Sequence, residues 1–327
     1  MSDADAGSES AMVDEMPDHR SNSAEDAVRL LGAQGRNVVR TESCFWYNVY
    51  GQTKVYYSFP PSVRVDPSRD EIKGVFKLAP RAKAIRFIGT ENGIGRDSFV
   101  WVARRPYSLD SLTSKARNQT RQGLKNCTVR LISLDELSSI SEEAHSDSMK
   151  RMGLSADKQV FGQHMRRSHA YEAWAAFVGD RLAAYLVTFT VDDWAYIQIH
   201  RSVTEMLKYR PNNALIFTVI DELLKRPDIS TVSYGWEPLY DLDSLDAFKL
   251  AMGSKKEPCK QAFVLAPHLD FLFPPFVCSV VEALARVFGG NQKLKRIAGV
   301  CRVIRETKSN RSQTGSLEAI GEAQKGL

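Results

Sequence analysis

The chain has 327 residues, 43% of them hydrophobic and 25% charged, which is the composition of an ordinary globular protein with room for a sizeable core. Its net charge of +5 is unevenly spread: residues 1–28 hold eight acids against Arg20, a net of −7, so the remainder carries +12. Such a basic body suits phosphorylated or anionic partners, and a solvated positive surface satisfies the same count. The five cysteines, Cys44, Cys127, Cys259, Cys278 and Cys301, are odd in number and contain no CxxC pair. They argue against a structural zinc site and for a reduced, cytoplasmic setting. The N-terminus lacks an apolar leader, and no uncharged stretch reaches spanning length.

Residues 1–40 are rich in Ser, Asp, Glu and Ala and are expected to be a disordered acidic tail; residues 307–327 have the same character. Between them strand and helix patterns alternate. Phe45 to Phe59 has strand composition, Ser68 to Leu78 reads as a helix, and Ala84 to Gly89 and Ser98 to Ala103 as short apolar strands. A helix over about 110–125 precedes a strand from Cys127 to Ile132, and Ser133 with Glu136 forms a capping box opening a long helix to about Met152. From Tyr171 to Val203 the sequence predicts a three-stranded antiparallel meander, because Gly179-Asp180 and Asp192-Asp193 interrupt runs rich in β-branched and aromatic residues. Pro211 suits the first position of the next helix, Leu215, Val219, Ile220 and Leu223 form its apolar stripe, and Lys225-Arg226-Pro227 closes it. A strand at 229–235, a helix from Leu242 to Met252 and a strand at 260–267 complete the order β-β-β-α-β-α-β.

Farther on, residues 273–290 form an apolar helix and 291–306 a basic amphipathic one. In the second, Lys293, Lys295, Arg296, Arg302 and Arg305 stand beside Ile297, Val300 and Ile304. Packing of these helices on the first lobe is the expectation, with peripheral contact of the segment 275–305 with a membrane surface as the alternative.

The element order resembles the core of the GNAT N-acyltransferase fold, and over about residues 45–268 the chain is similar to its Fem-like branch, which includes aminoacyl-tRNA-dependent peptidyltransferases. Three stretches carry the resemblance: "LTSKARNQTRQGLKNCTVR" from Leu112 to Arg130, "YRPNNALIFTVIDELLKR" from Tyr209 to Arg226, and "LDAFKLAMG" from Leu245 to Gly253. The last is similar to a family signature built on the dipeptide Phe-Lys. The resemblance implies an α+β fold of two GNAT-like lobes, at 41–155 and 156–268, with mixed central sheets flanked by helices and C-terminal helices at 269–306. Two departures matter. GNAT proteins hold the coenzyme A pyrophosphate on a glycine-rich loop, whereas "MLKYRPNNA", Met206 to Ala214, has no glycine. The long helical insertion of the tRNA-dependent enzymes is also not evident.

The resemblance implies roles for particular residues. Lys249 becomes the cation beside a reacting carbonyl or a phosphate, with Phe248 fixing its backbone; helical spacing alone would turn Leu245, Phe248 and Met252 inward and Lys249 outward. Lys208, Arg210, Asn212, Asn213 and Ala214 correspond to the donor loop, where a helix N-terminus and two cations can receive phosphates without glycine. On the central strand, regular alternation puts Tyr196, Gln198 and His200 on one face. His200 is the candidate base, its pKa being ordinarily near neutrality, or else a hydrogen-bonded structural histidine. Tyr234 and Glu237 fall at the end of the next strand, where GNAT-type sites open. Arg117, Arg121 and Lys125 are spaced four apart on one helix face and suit a diphosphate or nucleotide-linked acceptor, or simply a solvated face. No metal site, catalytic triad or P-loop motif is found.

The expected activity is transfer of an acyl group, acetyl first among them, from acyl-CoA to an amine of a small or nucleotide- or sugar-linked acceptor. Aminoacyl transfer from charged tRNA to a cell-envelope precursor is the alternative enzyme, and a non-catalytic binding protein of the same fold is the alternative from another class.

Overall fold

The computed structural model describes residues 23–33, 35–48, 54–153, 171–239, 243–288 and 292–325. Residues 1–22 of the expected acidic tail, the expected lobe boundary at 155/156, Leu242 and the last two residues lie outside them.

The expected tail to residue 40 is corrected from residue 23 onward. Helix α1 (Ala24–Ala33) and strand β1 (Val38–Arg40) are formed there. The Ser23 hydroxyl accepts from the Asp26 amide, and Ala27 packs with Tyr47, Phe189 and Tyr196, so an apolar face hidden among acids stabilises the segment. Strand composition at 45–59 resolves into β2 (Phe45–Tyr47) and β3 (Val55–Phe59). Helix α2 (Arg69–Leu78) is capped by Ser68, whose side chain accepts from the Glu71 amide. Strands β4 (Ala84–Gly89) and β5 (Arg96–Arg104) lead to a tight turn at Leu109–Ser111, after which Thr113 caps α3 (Ser114–Asn126). Strand β6 (Thr128–Ile132) follows. The single long helix expected to Met152 is two, α4 (Leu134–Ile140) and α5 (Glu142–Arg151), because Ser141 serves as C-cap of one and N-cap of the other.

The meander is β7 (Tyr171–Val178), β8 (Arg181–Val191) and β9 (Trp194–Ser202). Its turns carry Gly179 at φ 57° and Asp192 at φ 51°, the left-handed conformation that tight hairpins require. Helix α6 (Pro211–Lys225), strand β10 (Thr231–Trp236), helix α7 (Asp243–Ala251) and strand β11 (Lys255–Leu265) then follow in the expected order. After the short α8 (Pro267–Asp270) come α9 (Pro275–Val287) and α10 (Gln292–Lys325). The disorder expected from residue 307 is therefore also corrected: α10 runs through it. Thr307 is buried, accepting from the Phe263 amide and donating to the Val303 carbonyl, which fastens the helix to β11.

All strands among the described residues join one mixed sheet of 11, in the order β1-β2-β3-β4-β11-β5-β10-β9-β8-β7-β6. Only β3–β4 and β9–β10 are parallel. The last strand, β11, is inserted between β4 and β5, so early and late segments of the chain are interleaved in a single sheet. Helices α3, α6 and α7 cover one face through a cluster that includes Trp101, Leu186, Leu215, Ile220 and Met252. On the opposite face, Leu137, Ala144, Tyr185 and Val187 pack beneath α4 and α5.

Candidate active site

The parallel pairing of β9 with β10 is recorded from Trp194 and Thr231 to Tyr196 and Ser233. At that point both strands are irregular. On β9, Thr188 of β8 faces Ile197 and Val187 faces Ile199, which leaves Gln198 as a bulge. On β10, Gly235 at φ 85° accompanies a shift in pairing with β5 between Ser233 and Trp236. Two neighbouring bulges separate the strands and aim their side chains to opposite sides.

The bulge overturns the expected common face of Tyr196, Gln198 and His200. A bulge adds one residue to a strand whose side chains alternate, so the residues after it change sides. Tyr196 stacks on Phe189 at 4.7 Å, and its hydroxyl shares a 2.5 Å hydrogen bond with Ser62. Gln198 is exposed, whereas His200 turns toward α6 and Tyr234.

On the helix side, His200 is held at both nitrogens. The Asn212 carboxamide oxygen accepts from Nε2–H at 3.1 Å, which leaves Nδ1 to accept from the Tyr234 hydroxyl at 2.7 Å. Removal from water lowers the His200 pKa to about 4, the bond from Asn212 only partly offsetting this, and the nearby Arg201 and Arg151 lower it further. Burial thus favours the neutral imidazole, against the expectation of a pKa near neutrality. Burial also raises the Tyr234 hydroxyl above its usual range.

Next to this chain lies Lys249. Its residue is only 4% exposed, and its Nζ lies 4.9 Å from the Tyr234 ring centre and 5.9 Å from that of Trp101. The outward orientation that helical spacing alone gives is thus corrected. Phe248, Lys249 and Met252 all turn inward, and Leu250 is the exposed apolar residue. Desolvation lowers the Lys249 pKa to about 8, with Asp246 pulling the other way. Asp246 in turn accepts from the Trp101 indole at 3.1 Å. Gly253, at φ 85°, ends the helix where Ser254 N–H reaches the Lys249 carbonyl, fixing the lysine's backbone. Phe248 packs in the same cluster.

The expected donor loop surrounds the start of α6. Arg210 takes the left-handed conformation, φ 63°, in place of a glycine, and α6 opens without any side-chain cap. The Arg210 Nε is buried without a hydrogen-bond partner among the described residues. Lys208 is exposed beside the Tyr209 ring. Asn212 is committed to His200, Asn213 is buried with its amide donating to the Met252 sulfur at 3.5 Å, and Ala214 is buried against α3. Gly123 of α3 permits this contact: a Cβ there would lie 2.6 Å from the Arg210 carbonyl oxygen.

On the other side of the strand gap is a cavity of about 480 Å³, lined by Tyr57, Arg86, Gln198, Trp236, Glu237 and Arg296 among others. Glu237 accepts from Arg96 at 2.8 Å and from the Ser98 hydroxyl at 2.7 Å. Arg86 donates to Gln261 at 2.7 Å and lies 5.1 Å from the Trp236 ring centre. Of the Arg-rich helix, Arg117 donates to the Leu109 carbonyl and pairs with Asp110, so its guanidinium fixes the turn before α3; Arg121 and Lys125 are exposed.

The structure therefore brings together Lys249, Phe248, Tyr234, His200, Asn212 and Asn213, places Gln198 and Glu237 at the cavity, and sets Tyr196 and the α3 cations apart. Trp101, Asp246, Arg86 and Trp236 were not found from the sequence. The alternation of Phe99 with Trp101 in β5 was the available sign for the first of these.

No protein-family model matches the sequence, and no curated protein matches it. Among solved structures, the chain is similar to a C-terminal domain (DUF2156) from Agrobacterium fabrum named for lysylphosphatidylglycerol synthetase. The likeness is at TM-score 0.50 and 12% identity, over 76% of this chain and 89% of that one. It is also similar to FemX at TM-score 0.50 and 13% identity, over 74% and 92%. A tandem GNAT protein from the clavulanic acid biosynthesis pathway aligns at 13% identity and TM-score 0.44, over 70% and 81%. The α+β fold, with its large mixed sheet flanked by helices, is similar to the folds of the DUF2156 domain and of FemX, in keeping with the Fem-like branch of the sequence resemblance.

Proposed function

We propose that the protein is an N-acyltransferase that moves an acyl group, acetyl first among candidates, from an acyl-CoA to the amine of a small or nucleotide- or sugar-linked acceptor. The observation that carries this reading is Lys249, a 4%-exposed lysine held at the Tyr234 ring beside the parted strands. Burying an ammonium costs several kcal/mol, and the Tyr234 and Trp101 rings beside Lys249 offset only part of it, so the position carries a charge that is poised for an anionic partner. Below its pKa of about 8 the ammonium is charged and can stabilise the oxyanion that forms when an amine attacks an acyl carbonyl. Tyr234 is held in place by its hydrogen bond to His200 Nδ1, and its ring supports the Lys249 ammonium. His200 serves as an orienting group, its low pKa making it a weak base. The amine nitrogen bonds to the acyl carbon and the tetrahedral intermediate collapses with cleavage of the C–S bond; the surplus amine proton passes to solvent at the mouth of the cavity, and the CoA thiolate leaves and takes a proton from solvent.

The start of α6 fits the donor. Uncapped helical amides, the exposed Lys208 and the half-buried Arg210 are the groups that would hold its phosphates, and the donor supplies the activated thioester. The cavity, with Gln198, Glu237 and Arg86, would hold the acceptor. Exposed Arg121 and Lys125 would give weak outer attraction to an acceptor phosphate. A second reading, aminoacyl transfer from charged tRNA to a cell-envelope precursor, is favoured by the glycine-free loop and by the likeness to FemX.

Isothermal titration with acetyl-CoA, CoA and a long-chain acyl-CoA separates the two. Saturable micromolar binding that is lost in Lys208→Ala with Arg210→Ala supports the first reading. Absence of binding by all three, together with salt-sensitive tRNA binding, moves the assignment to the second. Neither response would leave the fold as a non-catalytic binding module.

A further inference from the structure

Helix α9 presents two opposite apolar faces. Cys278, Glu282 and Ala285 are buried toward α10, where Glu282 accepts from Arg305 at 2.9 and 3.1 Å. On the other side Phe276, Val280, Leu284 and Val287 recur at spacings of three and four and are 69%, 54%, 45% and 76% exposed. Phe271 and Phe288, at 72% and 59%, extend the stripe beyond both ends of the helix. A helix that spends its inner face on the core and keeps a second apolar stripe in water is unusual, since contiguous exposed apolar patches mark interaction surfaces.

The surrounding charge selects the occupant. Residues 267–305 hold six Lys and Arg against two acids. Both acids are neutralised in place: Glu282 is 5% exposed beneath Arg305 and Arg302, and Asp270 pairs with Lys308. Arg286, Lys293 and Lys295 remain exposed. An apolar stripe among exposed cations, with its nearby carboxylates paired to Arg302, Arg305 and Lys308, complements an anionic lipid surface, where the stripe enters the acyl boundary and the cations meet headgroup phosphates. A second copy of this chain would instead bring its own cations against these. Among the described residues no helix is long and apolar enough to cross a membrane, so any such contact is interfacial.

We propose that α9, with the start of α10, is a membrane-surface anchor that lies in the plane of an anionic bilayer through Phe276, Val280, Leu284 and Val287. The anchor is independent of the reaction assigned above. Its test uses the full-length protein and co-sedimentation with vesicles of phosphatidylcholine, alone and with phosphatidylglycerol added. Partition into the anionic vesicles is expected, weakening with salt, and falling at least about tenfold in Phe276→Ser with Val287→Ser because two large apolar side chains no longer leave water. In a separate Phe276→Trp variant, the added indole emission should shift to the blue on mixing with anionic vesicles. This readout stands even if the double variant folds poorly. Absence of partition, partition unchanged in a folded double variant, or an unshifted indole overturns the proposal. A vesicle-free dimer that the double variant dissociates also overturns it and assigns the stripe to a second copy.

Discussion

Helices α7 and α9 both depart from the usual sorting of side chains, in opposite directions. Helix α7 takes a lysine down to 4% exposure while leaving Leu250 at 58%; α9 leaves Phe276 at 69% while burying Glu282 at 5%. Lysine and glutamate are almost never fully buried unless paired. Glu282 has its arginines, so its burial is compensated, whereas no carboxylate among the described residues forms an ion pair with Lys249. The contrast separates a buried charge that holds two helices together from one whose desolvation is left standing. It also separates an inner site, where chemistry explains the departure, from an outer surface, where contact does.

The largest test of this contrast is Lys249→Met. Turnover in the acyl-transfer assay should fall by roughly two to three orders of magnitude, the range for loss of a preorganised oxyanion partner. The same variant should be more stable by about 1 to 3 kcal/mol in denaturant melts, since a buried charge is replaced by an apolar chain of similar length. A wild-type rate, or a less stable protein, would remove the argument for a functional lysine. Next in size is Gly123→Val, where side-chain atoms would meet the Arg210 carbonyl. A loss of about 2 to 3 kcal/mol is expected, together with weaker donor binding as the start of α6 is displaced. Unchanged donor affinity would detach that helix end from the donor site.

The pH dependence of stability sharpens the comparison further. The Lys249 pKa is about 8 in the native state against an ordinary 10.5, so between these values the unfolded chain holds a proton that the native chain has released. Native stability therefore rises with pH across that window, by at most about 3 kcal/mol, and the rise should vanish in Lys249→Met. His200 acts lower down. Its native pKa of about 4 lies below the ordinary 6.5, so stability is lost as pH falls from 6.5 toward 4. Melts across both windows, for wild type and Lys249→Met, check the two signs. The smallest expected effect is at α9, where Phe276→Ser with Val287→Ser should change the melting free energy by less than about 0.5 kcal/mol, surface substitutions having little to disturb. A large loss would mean that the stripe is covered within the protein.

Much of the fold was legible because it depended on neighbours in sequence. Gly179 and Asp192 marked the hairpins, Pro211 marked the start of α6, and Ser68 and Ser133 capped the helices expected of them. The Phe-Lys pair in α7 led to Lys249, although spacing could not show its burial: it lies beside Phe248 on the helix and only Trp101 and Tyr234, distant in sequence, enclose it. The bulge at Gln198 left no local trace, since Ile197 and Ile199 on either side read as regular alternation. For the same reason the face of His200 was misassigned relative to Tyr196. Arg86, Trp236 and Arg296 meet at the cavity only because the sheet and α10, which packs on it, bring three remote segments together, a relation no window of sequence contains.

The position of β11 has a consequence for how the chain reaches its structure. Until residues 255–265 are available, β4 and β5 lack the strand that lies between them, and each presents an open row of backbone donors and acceptors. During synthesis, more than three quarters of the chain must therefore emerge before the middle of the sheet can close. Such long-range closure is slow compared with local hairpins and helices. The meander pairs neighbours in sequence and needs no later segment, whereas the edges of β4 and β5 stay open to other strands until β11 is made.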